Sequence, residues 1–234
     1  MTLARWTLLL GASGLLILGV GHGIGLMSTP AEASMGETGR ILYLHVPTAW
    51  VAMLAFTAAF IAAIGSLWTG GARWDLSMES GIEVGMVFSV LICIQGPIWA
   101  YPTQNYWWTW DPRLTTTAIM VVAFTGVLVM RRLIHQHERR MAATAVATIV
   151  SWVNVPVVYF SVEWWDSVHQ DLSQVSSVDK VMLVPLLVSL AGTSLLGAAF
   201  FLARYRIALG HYQREEVAPE LPDLPAQLEL EDSP

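Results

Sequence analysis

The stretch GPIWAYPTQNYWWTWDPRLTTTAIM, residues 96–120, sets four tryptophans and two tyrosines within the twelve positions from Trp99 to Trp110. An acid and a base, Asp111 and Arg113, follow at once, and then an apolar run begins. Trp and Tyr gather where a membrane helix meets the headgroup zone, so this stretch reads as the edge of a bilayer-spanning segment. The composition agrees: 55% of the 234 residues are hydrophobic and 13% charged, against about 25% charged in soluble domains. Apolar runs near the ~20 residues needed to cross a bilayer recur along the chain. Six spans are predicted, at 4–27, 47–69, 80–101, 114–133, 141–161 and 181–204. Glu83 near the start of the third suggests a later beginning there. The fold class is all-α, a polytopic membrane bundle of six transmembrane helices.

Residues 1–210 form the six-helix domain, with the tryptophan-rich segment at 96–115. Residues 211–234 form a tail whose EEVAPELPDLPAQLELEDSP is acidic and Pro-rich, a composition expected to stay disordered. The single cysteine, Cys93, lies in an apolar run and reads as a small buried hydrophobe.

Lys and Arg give the orientation. With six spans, Arg5, Arg73, Arg131, Arg132, Arg139, Arg140, Arg204, Arg206 and Arg214 fall on one side, and Arg40, Arg113 and Lys180 on the other. Nine against three puts both termini in the cytoplasm. The first span followed by AEAS resembles a secretory signal, but its apolar core exceeds the ~7–15 residues of one, so it reads as a retained helix.

Three segments then lie outside, 28–46, 102–113 and 162–180. Trp50, Trp99, Trp107, Trp108, Trp110, Trp164 and Trp165 gather at that face, while Trp6, Trp68 and Trp74 lie near the other. An interfacial belt predicts rough symmetry, so the excess points to a shared aromatic surface for a large, flat, apolar ligand. If the 102–113 loop is helical, Trp107, Trp110 and Asp111 share a face. Asp111 before Pro112 has the pattern of an N-cap. Arg113 either snorkels at the interface or meets a ligand carboxylate with its planar fork; Arg40 makes a weaker case.

His135, His137 and His211 sit on the Arg-rich side and read as solvated. His22, among glycines, reads as a buried hydrogen-bonded residue. His45 and His169 remain, each beside aromatics on the outer face, which favours metal ligation. Zinc would need three or four ligands at spacings not found in the sequence. Two imidazoles and an aromatic platform suit haem, with the two histidines axial and Arg113 near a propionate.

WWTWDPRLT (107–115) resembles the tryptophan-rich signature of the haem-handling superfamily, which includes the cytochrome c maturation proteins C and F and the cytochrome c synthetases. RILYLHVPTAW (40–50) and SVEWWDSVHQ (161–170) are similar to motifs of the C member, CcmC, as are the length and the six spans. The family commonly has Trp-Gly before the double tryptophan, where this chain has Gln104 and Asn105. The resemblance implies a non-enzymatic protein of the bacterial inner membrane that binds haem b at its periplasmic face. It would present the haem to the chaperone CcmE, in a complex with the ABC transporter subunits CcmA and CcmB and the small membrane protein CcmD. His45 and His169 would be the axial ligands. Trp99, Trp107, Trp108, Trp110, Asp111, Arg113, Trp164 and Trp165 would form the platform and the docking surface.

Two other functions fit parts of the sequence. A bis-His membrane cytochrome would bury its ligands within spans and often carry two haems. A haem or solute exporter would show an intramembrane charged path, and spans 4 and 5 carry almost no charge. A phosphate-binding loop of the G-x-x-x-x-G-K-[ST] type is absent from the sequence, so the chain does not power transport itself.

Overall fold

The computed structural model describes residues 2–32, 35–169 and 178–217, with side chains as far as 214. Seven α-helices follow in order: α1 (Leu3–Met27), α2 (Leu42–Thr69), α3 (Ala72–Gln104), α4 (Pro112–Leu133), α5 (His137–Trp152), α6 (Asn154–Trp164) and α7 (Lys180–Val217). A 3-10 turn, Glu37–Ile41, leads into α2. Helices α5 and α6 together make one span, so six segments are long and apolar enough to cross a membrane. The only extended pairing among the described residues is a single bridge between Glu32 and Gly36.

The break between α5 and α6 has a local cause. Pro156 has no N–H for the Trp152 carbonyl, and its ring clashes with that group. Asn154 Nδ2 then donates to the Thr116 carbonyl at 2.7 Å, tying the kink to α4. A second proline is compensated from outside its helix. Pro47 leaves the Tyr43 carbonyl without its helical donor. His22 Nε2, from α1, lies 3.0 Å from that oxygen, which makes His22 the hydrogen-bonded residue that its setting suggests.

Small residues set the helix spacing. α1 lies along α7, and a Cβ at Gly192 would stand 2.5 Å from the Leu18 amide nitrogen. Any side chain there forces the helices apart, the close approach typical of membrane packing. The central core joins α2, α3, α4, α5 and α6 around Phe56, Met78, Ile82, Met120, Phe124 and Val155. The Phe56 and Phe124 rings stack at 3.8 Å.

One sequence expectation needs correction. The third helix starts at Ala72, well before residue 80, whereas α4 carries Arg131 in its last turn as the predicted span 114–133 does. The early start of α3 goes with an ion cluster. Arg131 is 7% exposed and grips Asp75 with both terminal nitrogens, at 2.8 and 2.7 Å, and Glu79 at 3.0 Å. Paired in this way, the charges are tolerated inside the helices. Glu83 pairs with Arg204 of α7. α7 itself runs past residue 210 to Val217; the tail after 217 lies outside the described residues.

Candidate functional site

His45 stands in the first turns of α2, and His169 lies just beyond α6. The fold brings them together, with ring centroids 6.2 Å apart and planes tilted by 36°. Trp99, near the end of α3, lies against His169 at 6.5 Å. Three histidine and tryptophan rings from three parts of the chain therefore meet at the end of the bundle opposite the Arg131 cluster. His45 Nδ1 is buried and has no hydrogen-bond partner.

Asp111 builds this end. Its backbone is extended, at φ −60° and ψ 145°, as a residue before proline requires. Oδ1 accepts from the Arg113 and Leu114 amides at 2.9 and 3.4 Å, the N-cap of α4. Oδ2 accepts from Ser167 Oγ at 2.7 Å and from the Val168 amide at 2.8 Å. Ser167 Oγ in turn accepts from the His169 amide at 3.1 Å. One carboxylate thus starts α4 and fixes the segment that carries His169. Burial pushes this carboxyl up, but the bonds from Ser167, Val168, Arg113 and Leu114 outweigh it and hold it below its ordinary value of 3.8.

The loop from 105 to 111 is not helical, so the helical face suggested for Trp107, Trp110 and Asp111 does not exist. Asn105 ends α3 with φ 61° and ψ 29°. This left-handed backbone suits Gly and, next to it, Asn. Gln104 Nε2 reaches the Val168 carbonyl at 3.4 Å, a second tie on the His169 segment.

The remaining tryptophans form separate ring groups among the described residues. Trp107 stacks on Tyr101 at 4.5 Å. Trp108 meets Trp110 edge-on at 6.0 Å. Trp164 stacks on Phe160 at 5.5 Å and meets Trp165 edge-on at 5.9 Å. Trp107, Trp110, Trp164 and Trp165 are at least half exposed, so their surfaces are open to a ligand, a partner or lipid. Arg113 turns towards α6, where a terminal nitrogen donates to the Tyr159 carbonyl at 2.8 Å; its Nε is buried without a partner. Arg40 closes the end of α1 by donating to the Gly25 and Leu26 carbonyls, both at 2.8 Å. That is a structural use of a cation at a helix C-terminus.

Sequence reading missed Ser167, Gln95 and the Asp75–Glu79–Arg131 cluster. Gln95 carried a signal, a polar side chain inside an apolar span. Ser167 carried none.

Comparison with known proteins places the chain in a family. The family described as Heme exporter protein C matches residues 1–219. The Heme exporter protein C of Haemophilus influenzae is 34% identical over 199 residues, covering 83% of this chain and 81% of that protein. The protein of the same name from Bradyrhizobium diazoefficiens is 33% identical over 181 residues, 76% of this chain and 69% of that one. A Marchantia polymorpha mitochondrial protein described as cytochrome c biosynthesis ccmC-like is 29% identical over 187 residues, 78% of this chain and 79% of its own. With its match over nearly the whole length and its six apolar spans, the chain belongs to the haem exporter protein C family.

Proposed function

We propose that this protein binds haem between His45 and His169 at the periplasmic face of the bacterial inner membrane. From there it hands the haem to a partner chaperone for cytochrome c assembly. The observation that carries the reading is the 6.2 Å separation of the two imidazoles. Two imidazoles ligating one iron from opposite faces, each nitrogen ~2 Å from the metal, have ring centres on the order of 6 Å apart. The ring of Trp99 beside His169 suits the same ligand.

The haem is cargo, and the chain itself catalyses no reaction. A site at the end of the bundle, edged by exposed tryptophans, holds haem in a defined orientation and still lets it leave. The Lys and Arg distribution supports a periplasmic site with cytoplasmic termini. By the family resemblance, haem b is the cargo, CcmE the acceptor, and CcmA, CcmB and CcmD the other members of the complex. The open aromatic rim of Trp107, Trp108, Trp110, Trp164 and Trp165 is then the docking surface for the chaperone.

Reconstitution tests this. Haem-loaded protein in vesicles is mixed with CcmE, and haem arriving on the acceptor is followed by absorption. Transfer that is lost in His45→Ala and His169→Ala is expected. Transfer at the wild-type rate in both variants contradicts the reading.

A further inference from the structure

Gln95 lies on α3 and is 8% exposed, inside an otherwise apolar run. Its amide nitrogen donates to Thr48 Oγ1 at 3.4 Å. Thr48 Oγ1 is one turn beyond Leu44 and gives its own hydrogen to the Leu44 carbonyl at 2.6 Å. With its hydrogen used, Thr48 can only accept from Gln95, and this fixes which end of the amide is nitrogen. The carbonyl end, Oε1, is buried without a partner. His45 Nδ1 is also buried without a partner, and Thr48, which holds Gln95, lies three residues beyond His45 on the same face of α2. A buried acceptor and a buried ring nitrogen, both unpaired and gathered on one helix face, are an uncommon pair of vacancies. Each satisfies the other if Nδ1 carries the proton.

We propose that Gln95, held by Thr48, is a positioning residue that keeps His45 in the Nδ1–H tautomer, leaving Nε2 as the lone-pair nitrogen for the ligand. The proposal rests on the reading of His45 as a haem ligand. The chemistry is that of metal-binding histidines in general, whose second ring nitrogen donates to a fixed acceptor and so gains a set orientation and a more basic ligating nitrogen. Here the acceptor is a neutral amide inside the bundle, and the residue that aims it comes from the same helix as the histidine.

The test uses full-length protein with 15N-labelled histidine in detergent micelles, first without haem. Nitrogen shifts distinguish the two tautomers. Wild type and Gln95→Glu, which keeps an acceptor oxygen, are expected to show His45 protonated at Nδ1. Gln95→Leu and Thr48→Val are expected to lose that preference. Haem titration is then expected to show binding about tenfold or more weaker in Gln95→Leu, restored in Gln95→Glu. A wild-type His45 protonated at Nε2 overturns the proposal. So does a Gln95→Leu protein with wild-type tautomer and wild-type haem affinity. Failure of the underlying reading is separate: His45→Ala would then bind haem as wild type does, whatever the tautomer result.

Discussion

Asp111 and Val168, 57 residues apart in the chain, are joined by a 2.8 Å hydrogen bond from the Val168 amide to the Asp111 carboxylate. The residue beyond Val168 is His169. The aspartate that ends the tryptophan-rich stretch therefore acts on the candidate ligand through the backbone, and both of its oxygens are occupied by protein donors.

This makes Asp111→Asn informative. The amide can still cap α4 with its carbonyl oxygen. Its NH2 then faces Ser167 Oγ and the Val168 amide, and the Val168 amide is itself a donor. Hydrogen exchange at Val168 and His169 is expected to accelerate, with the first turn of α4 unchanged. Asp111→Ala loses the cap as well, at about 1 kcal/mol for the cap alone, and both regions are expected to exchange faster.

The same carboxyl gives a pH expectation. Its pKa in the fold lies below the ordinary 3.8, so its contribution is fully present above that value. It is lost only as the pH falls through the lower, folded pKa. A 13C carboxyl titration of Asp111 is expected to have its midpoint below 3.8, with Val168 protection unchanged from pH 7 down to the ordinary carboxylate range.

Arg131 offers a test at the other end of the bundle. Replacing it with Met leaves Asp75 and Glu79 without their cation, and breaking a buried pair costs about 3–5 kcal/mol. Thermal unfolding in detergent is expected to show a large loss in Arg131→Met. Asp75→Asn in the same chain is expected to recover part of it.

The proline device on α2 predicts coupling between two helices. His22→Ala is expected to cost about 1 kcal/mol, because the Tyr43 carbonyl loses its donor. In a Pro47→Ala background the helix supplies its own N–H, and His22→Ala is expected to be nearly neutral. A double-mutant cycle by thermal unfolding reads the difference.

Packing of α1 on α7 is checked by cross-linking. A Cβ at Gly11 would stand 3.8 Å from that of Ala199, a spacing suited to a disulfide. Gly11→Cys with Ala199→Cys, in a chain with Cys93→Ser, is expected to cross-link under mild oxidation. Gly192→Val, which drives the two helices apart, is expected to suppress the bond.

The spans were legible because apolar length alone decides them in a bilayer. Their ends were not where charge is buried. Counting charges starts the third span at 80 or later, but Asp75 and Glu79 pair with Arg131 of α4 and let α3 begin at Ala72. The N-cap at Asp111 followed from Asp-Pro, a local signal. Its second grip, on Ser167 and Val168, joins distant parts of the chain, and short-range pattern carries no trace of it. His45 and His169 stood out as histidines beside aromatics. Their approach to 6.2 Å depends on how the helices pack. The helical face proposed for Trp107 and Trp110 failed because Asn105 in a left-handed conformation and Pro112 after Asp111 both oppose helix.

The most direct measurement is the absorption spectrum of protein purified from haem-replete membranes, beside His45→Ala and His169→Ala. A low-spin spectrum with two imidazole ligands in the wild type, altered or lost in each variant, is the expected result. Wild-type protein that takes up no haem even with the chaperone present, or a haem spectrum indifferent to both substitutions, would contradict haem binding between His45 and His169.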